Sequence, residues 1–208
     1  MTFPLRTFRR GIHPPANKFT KDAPLQEFPT PDKVFISLSQ HIGAPATPTV
    51  AVGDHVDVGQ VIASASGFVS ANVISSVSGT VKAFCTLPTA NGGEATHIEI
   101  ENDHLFTEQR LSALNEPTKE EIIERIKDAG IVGMGGATFP THVKLMPKDP
   151  IDTLIINGAE CEPYITCDYR LFMEEAVRVI DGVKLLMKAL DVKHAYIGIE
   201  ANKLPAIK

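Results

Sequence analysis

Apolar residues are spaced differently in three parts of this chain, and the spacing predicts a different structure for each part. Residues 1–32 show no period, residues 33–115 carry short runs of Val, Ile, Thr and Phe between Gly and Pro, and residues 116–208 combine helical spacing with two apolar runs. Short β-branched and aromatic runs are typical of strands, whereas apolar residues three and four apart indicate helices. We therefore predict an extended arm, a small β domain and an α/β domain.

Proline dominates the arm of residues 1–32. The prolines are Pro4, Pro14, Pro15, Pro24, Pro29 and Pro31. Because proline fixes φ and has no N–H to donate, such a segment favours an extended chain without regular hydrogen bonding. We expect the arm to wrap over a domain rather than to form one.

The β domain of residues 33–115 contains two segments that resemble the halves of a biotinyl/lipoyl-type domain. These segments are Val50–Ile62, with turns at Gly53-Asp54 and Gly59-Gln60, and Ser76–Val81. In a carrier of that type, a lysine at the hairpin tip between the halves bears the prosthetic group. The tip here, Ser66–Asn72, has no lysine. We therefore predict a barrel-sandwich-hybrid fold without carrier chemistry.

An amphipathic helix opens the third part, residues 116–208. Thr118, followed by two glutamates, is suited to the N-cap of a helix over Lys119–Ala129, and Gly130 is suited to end it. The apolar face consists of Ile122, Ile123 and Ile126.

A strand over Ile151–Ile156, a helix over Tyr169–Leu190 and a strand over His194–Ile199 are predicted next. This order predicts a parallel βαβ unit, as in a Rossmann-like fold, and the chain is therefore placed in the α+β and α/β classes. Ligands bind beyond the carboxyl ends of such strands, where the loop of residues 157–162 and Glu200 are expected to point into one crevice.

Composition and charge are those of an ordinary globular protein. Of the 208 residues, 43% are hydrophobic and 22% charged, and the formal net charge is −5. A general nucleic-acid binder would carry a concentrated basic face, so we expect no nucleic-acid partner. No segment has the apolar length of a membrane span or of a signal peptide, and we expect a soluble cytoplasmic chain.

Cysteine and histidine indicate neither a disulfide framework nor a metal site. The three cysteines, Cys85, Cys161 and Cys167, are odd in number and do not have zinc or [4Fe–4S] spacing. The seven histidines likewise lack ligand spacing. We expect a reducing compartment and no metal bound by this chain.

Two loops carry the candidate chemistry. Residues 133–144 read Gly-Met-Gly-Gly-Ala-Thr-Phe-Pro-Thr-His-Val-Lys, and residues 157–163 read Asn-Gly-Ala-Glu-Cys-Glu-Pro. Glycines without Cβ atoms let N–H groups approach a phosphate closely, and Lys144 would add a positive charge. Such loops are also common as plain helix caps, an isolated lysine is usually solvated, and a lone phenylalanine usually belongs to a core.

The residues of the first loop resemble the G-x-G-G-[AG]-x-F-P-T-x-x-K flavin loop of the NADH-binding flavoprotein subunit of respiratory complex I. Three further segments, Gly11–Pro15, Leu38–Pro45 and Asn157–Tyr164, resemble the C subunit of the Rnf electron transport complex. Because these motifs follow the family's order over most of the chain, the chain is identified as a relative of that Rnf protein.

The resemblance implies that the chain binds FMN and NADH and that the flavin, with no catalytic protein residue, transfers the hydride. The implied cofactor-binding residues are Gly133, Gly135, Gly136, Ala137, Phe139, Lys144, Asn157, Glu160, Glu162 and Glu200. Asn157 could instead form a turn, and Glu200 could cap a helix. Ala159 stands where the complex I loop has an aspartate, so whatever that aspartate contributes is in question here.

The implied function is that of a peripheral electron-transfer subunit of an ion-translocating ferredoxin:NAD oxidoreductase on the cytoplasmic face of the membrane. Implied partners are the other subunits of that complex, NAD(H) and ferredoxin. The family's [4Fe–4S] motifs would follow Lys208, so we expect the chain to be a piece of a longer protein and inactive by itself. Two alternatives remain, namely a non-redox docking module and a carrier domain, which the missing tip lysine disfavours.

Overall fold

The computed structural model describes residues 14–89 and 92–207, and the contacts divide the chain into two compact units. The first unit is Pro29–Pro150, and the second combines the preceding described segment with the chain from Ile151 onward. Gly11–His13 of the first family motif lie outside the described residues. The two units group segments that contact one another, and such units need not coincide with domains. The domain boundaries expected at residues 33 and 116 therefore stay a prediction.

A β-sandwich forms most of the unit Pro29–Pro150. Its strands are β1 (Lys33–Ser37), β2 (Thr47–Pro48), β3 (His55–Val56), β4 (Val61–Ser64), β5 (Val73–Ile74), β6 (Gly79–Pro88) and β7 (Glu94–Asn102). One antiparallel sheet has the order β1-β7-β6-β3, and the other has the order β2-β4-β5. This architecture confirms the predicted barrel-sandwich fold.

The core of the sandwich follows from the alternation of side chains along the strands. In β7, Ile98 and Ile100 are fully buried, whereas Glu101 faces solvent. Ile62 and Val73 from the other sheet belong to the same apolar cluster. Since successive side chains point to opposite faces of a sheet, this pattern fixes the register of the strands.

Helix α1 (Lys119–Asp128) begins where the sequence predicts, at an N-cap on Thr118. Thr118 accepts the N–H of Glu121, and the Glu121 carboxylate accepts the N–H of Thr118 in return. Gly130, with φ of +63°, ends the helix in the predicted way. A Cβ at Gly130 would lie 2.3 Å from the Asn72 carbonyl oxygen, so glycine lets the helix end approach the sandwich.

The second unit has a parallel βαβ core, as predicted. Strand β8 (Thr153–Gly158) pairs in parallel with β9 (His194–Ile199), and a 3₁₀ segment, Ala201–Ile207, follows. Strand β8 begins and ends two residues later than the predicted strand, so Asn157 lies inside the strand and not just past its end.

The single helix predicted over Tyr169–Leu190 is wrong. The structure has two helices, α3 (Cys167–Glu174) and α4 (Ala176–Leu190), separated at Glu175 with φ of −125°. The break follows Glu174, whose carboxylate accepts the N–H of Leu25 and pairs with Arg170. Helical periodicity does not encode this tertiary contact.

None of the helices in residues 14–89 and 92–207 combines the length and the hydropathy that crossing a bilayer requires.

A glycine at the start of β6 provides a test of the sandwich. A Cβ at Gly79, where φ is +151°, would lie 1.9 Å from the Glu101 carbonyl oxygen in the paired strand. We expect Gly79→Ala to lower the free energy of unfolding by about 3 kcal/mol, because the strand pairing must open to admit a methyl group. Urea denaturation followed by circular dichroism measures this change.

Gly53→Ala is the matched control. Gly53 also has positive φ, +97°, but no atom lies within 4 Å of the position of its Cβ. We expect this variant to lose only about 1 kcal/mol from backbone strain. Equal losses in the two variants would show that contact with Glu101 is not what requires glycine at position 79.

Candidate functional site

The glycine loop, defined as residues 133–139, projects between α1 and α2 (Thr141–Lys144). Its base is closed by hydrogen bonds from the N–H of Gly133 to the Phe139 carbonyl, 3.0 Å, and from the N–H of Thr141 to the Ile131 carbonyl, 3.0 Å. These two bonds make a hairpin-like neck, so the intervening residues form an exposed tip in the unit Pro29–Pro150.

The tip of the glycine loop presents backbone N–H groups. The N–H groups of residues 134–137 have no acceptor in the part of the chain that the structure describes. No atom lies within 4 Å of the Cβ position at either Gly135 or Gly136. Gly136 and Thr138 have φ of +58° and +48°, and left-handed non-glycine residues cluster at ligand sites. The tip therefore fits a bound anion.

Lys144 lies near this tip through its contact with Phe139. The Lys144 Nζ is 5.9 Å from the centroid of the Phe139 ring, at the outer limit of a cation–π contact. Lys144 is exposed and Phe139 is half-buried. The Lys144 ammonium is therefore accessible to an anionic ligand, whereas the Phe139 ring is partly packed against the protein.

A cavity of about 700 Å³ adjoins the glycine loop within the same unit. Gly136, Ala137 and Thr138 form one wall, and Gln40 and His97 contribute polar groups to the rest. The N–H of Ile42 donates to the Ala137 carbonyl at 3.2 Å and so fixes the loop against the segment after β1. Sequence reasoning connected the Leu38–Pro45 motif with the family but not with this loop.

The acidic loop, defined as residues 157–165, begins with the last two residues of β8 in the second unit. Asn157 Oδ1 accepts the N–H of Ala159 at 3.1 Å, which is the turn-forming role that the sequence left open. Its side-chain NH₂ group has no acceptor in the described part of the chain. Asn157 can therefore shape the turn and still donate to a ligand.

Glu160 of the acidic loop is buried and fully engaged. Its Oε1 accepts the N–H of Asp168 at 2.8 Å, and its Oε2 lies 3.1 Å from Lys203 Nζ. The side chains of Glu160 and Lys203 are 3% and 7% exposed. Burial by itself would raise the pKa of Glu160, but the Asp168 N–H and the Lys203 ammonium outweigh it and lower that pKa.

Lys203 joins the two strand ends of the βαβ core. Its Nζ lies 3.1 Å from Glu160 Oε2 after β8 and 3.1 Å from Glu200 Oε2 after β9. Sequence reasoning missed this lysine, although its spacing of three residues from Glu200 is a signal for a local ion pair. Glu160 and Glu200 thus share one counter-ion in the second unit.

Glu162 differs from its two acidic neighbours. Its side chain is exposed, and its carboxylate has no hydrogen-bond or ion-pair partner within residues 14–89 and 92–207. Its backbone carbonyl, in contrast, accepts from Lys18 Nζ at 2.7 Å. The backbone of Glu162 is therefore fixed while its carboxylate is left available.

The glycine loop and the acidic loop belong to different compact units. Direct contact of their residues with a cofactor stays a prediction. Their local geometry nevertheless separates the residues by role, since Glu160 is committed to an internal ion pair whereas Lys144 and Glu162 expose their charges.

Comparison with known protein families gives two matches that follow one another along the chain. The family model described as the RnfC barrel sandwich hybrid domain matches residues 6–105, and that described as the Nuo51 FMN-binding domain matches residues 126–208. The first match covers the β-sandwich, and the second covers the glycine loop and the βαβ core.

Curated relatives match nearly the whole chain. It is 46% identical, over 98% of its length, to the C subunit of the proton-translocating ferredoxin:NAD(+) oxidoreductase complex of Clostridium ljungdahlii and covers 46% of that protein. It is 44% identical, over 97% of its length, to the C subunit of the Na(+)-translocating ferredoxin:NAD(+) oxidoreductase complex of Acetobacterium woodii and covers 47% of it. The chain thus spans somewhat less than half the length of these relatives.

The buried ion pair gives a prediction for stability. We expect Glu160→Gln and Lys203→Met each to lower the free energy of unfolding by about 3 kcal/mol, because each leaves a buried charge without a main partner. The double variant should lose less than the sum of the two, since no charge is then stranded. Urea denaturation of the four proteins measures the coupling, and additive losses would contradict a direct pair.

The lowered pKa of Glu160 gives a prediction for pH. A carboxylate with a depressed folded-state pKa stabilises the fold above its unfolded value of about 4.3, and this stabilisation is lost as the pH falls through the folded value. We expect the free energy of unfolding to decrease below that pH in the wild type and to decrease less in Glu160→Gln. A wild-type loss of stability below that pH in Glu160→Gln would contradict the role of this carboxylate.

Proposed function

Because the chain belongs to the family of Rnf complex C subunits, we propose that it is the FMN- and NADH-binding part of a peripheral electron-transfer subunit. The complex would be an ion-translocating ferredoxin:NAD oxidoreductase at the cytoplasmic face of the membrane. Its partners would be the other subunits, NAD(H) and ferredoxin. Electrons would pass from the flavin to [4Fe–4S] clusters held outside the residues described above.

The unpartnered N–H groups at the tip of the glycine loop carry this proposal. Four successive N–H groups, those of residues 134–137, have no acceptor in the described residues, and the two adjacent glycines leave open the space that a Cβ would fill. A phosphate supplies several oxygen acceptors in a small volume and suits such a cradle. The match of the FMN-binding family to residues 126–208 supports FMN as the phosphate-bearing ligand.

The remaining proposed ligand residues have different roles in binding. Lys144 supplies a positive charge for the phosphate, and Phe139 lines the flavin slot. Asn157 donates its free NH₂ group to a nucleotide ligand, and Glu162 contacts the nicotinamide nucleotide. Glu160 acts through its ion pair with Lys203, which holds the acidic loop in shape together with Glu200.

The flavin supplies the hydride chemistry when it is bound, and the residues of this chain bind and orient the nucleotides. N–H groups and Lys144 would fix the phosphate end, so the ring is held at a constant distance from that anchor. The exposed carboxylate of Glu162 would accept hydrogen bonds from a ribose or carboxamide group.

A non-redox docking module is the second candidate. Ile155 and Tyr196 lie opposite each other on β8 and β9 and are 71% and 64% exposed, which favours a protein contact on that face of the sheet. A docking module would bind partner subunits while showing no affinity for FMN or NADH. Isothermal titration of the full-length protein with each nucleotide distinguishes the two candidates.

Gly135→Ala tests the proposed cradle. No atom occupies the space of an alanine Cβ at this position, so the melting temperature should not fall. We expect FMN affinity to fall by about tenfold, because the methyl group would occupy space taken by the phosphate. Flavin fluorescence quenching in the full-length protein measures the affinity.

Gly67→Ala serves as the control for this variant, since it adds a methyl group at an exposed position whose nearest atom is 3.7 Å away. Its FMN affinity should equal that of the wild type. Unchanged affinity in Gly135→Ala as well would remove the glycine loop from the flavin site.

Lys144→Ala tests the charge at the loop. We expect FMN binding to weaken by about 1 to 3 kcal/mol, the range for a hydrogen bond to a charged group. Lys148→Ala removes another exposed lysine outside α2 and should leave the affinity unchanged. A loss of the same size in both variants would indicate a general charge effect and not a specific contact.

A further inference from the structure

Lys18 makes an unusual set of contacts with the acidic loop of the second unit. Its Nζ donates to the backbone carbonyls of Glu160, Glu162 and Ile165, each at 2.7 Å. These acceptors lie 142 to 147 residues away along the chain. An ammonium group has three N–H donors, and all three are used here on carbonyls of one loop.

The converging carbonyls explain why a cation is needed at this point. Carbonyl oxygens that converge on one centre carry partial negative charges that repel one another, and a cation at that centre offsets this repulsion. Lys203 Nζ donates to the carbonyl of Glu160 as well, at 3.1 Å. Two lysines therefore satisfy the inner side of the acidic loop, and Lys18 is the one that reaches Glu162.

Neighbours of Lys18 hold the same loop from the same side. The N–H of Tyr164, a residue with φ of +70°, donates to the Ala16 carbonyl at 3.0 Å. The Phe19 ring meets the Tyr164 ring edge-on at 5.8 Å. The hydroxyls of Thr20 and Thr166 lie 2.6 Å apart. The segment around Lys18 is thus a strap over residues 160–166.

We propose that Lys18 is a positioning residue for the nucleotide site, because it fixes the backbone from which the Glu162 carboxylate projects. This inference rests on the proposed function, in which Glu162 contacts the nicotinamide nucleotide. The carboxylate of Glu162 has no partner of its own in the described residues, so the backbone contact with Lys18 fixes the position from which this side chain projects. Lys18 does not itself contact the nucleotide.

Lys18→Met in the full-length protein removes the ammonium and keeps the length of the side chain. We expect amide hydrogen exchange in residues 159–168 of the nucleotide-free protein to accelerate by about tenfold, because three carbonyls lose their donor. NADH affinity should fall by a similar factor, whereas FMN affinity should change by less than about twofold since the phosphate cradle is untouched.

Lys21→Met is the matched control. Lys21 lies three residues further along the same segment, but its Nζ is exposed and pairs with Asp22 at 2.5 Å. This variant should keep wild-type exchange and wild-type NADH affinity. Lys18→Arg keeps the charge, but its planar fork cannot direct three donors at converging carbonyls, so we expect an intermediate loss of NADH affinity with a normal melting temperature.

The outcomes distinguish a failure of the positioning role of Lys18 from a failure of the proposed function. Wild-type exchange and wild-type NADH affinity in Lys18→Met overturn the positioning role. If Lys18→Met does not fold, Lys18→Arg decides, and an NADH affinity equal to that of the wild type overturns the role. A wild-type protein that binds neither FMN nor NADH overturns the proposed function, and the nucleotide role of Lys18 with it.

Discussion

The shape of the acidic loop depends on two lysine ammonium groups that satisfy its inward-pointing oxygens. Lys203 neutralises the buried Glu160 and shares Glu200, while Lys18 takes three backbone carbonyls. A buried carboxylate costs several kcal/mol unless it is paired and hydrogen-bonded, so these contacts are a condition for the loop to exist in this form. The Glu162 carboxylate stays available because Lys18, and not this side chain, donates to the loop backbone.

The acidic loop and the glycine loop differ in how their backbone polar groups are hydrogen-bonded. In the acidic loop the carbonyl oxygens of Glu160, Glu162 and Ile165 accept hydrogen bonds from the protein's own lysines. In the glycine loop the N–H groups of residues 134–137 have no acceptor among the described residues. A loop of the first kind is rigid before a ligand arrives, whereas one of the second kind gains its missing hydrogen bonds from an anion. This difference is the physical basis for our proposal that the glycine loop binds the FMN phosphate.

Local signals in the sequence were sufficient for much of the fold. Thr118 and Gly130 delimited α1 correctly because caps act within a few residues, and the apolar runs located β8 and β9 to within two residues. The break between α3 and α4 was missed because it accompanies a contact of Glu174 with distant Leu25. Lys18 was missed for the same reason, since no spacing rule connects a lysine in a proline-rich segment with carbonyls more than 140 residues later.

The division of the chain also has a consequence for how the protein is made. The sandwich unit is continuous in sequence, so all of its strands are available once the ribosome has passed Pro150. The second unit consists of two segments on either side of the sandwich in the sequence. Its N-terminal segment, which includes the strap, can bind the acidic loop only after that loop and Lys203 have been synthesised. Vectorial synthesis therefore imposes an order in which the sandwich matures first while the strap remains without its partner. In that interval Lys18 lacks the three carbonyls to which it donates in the folded chain.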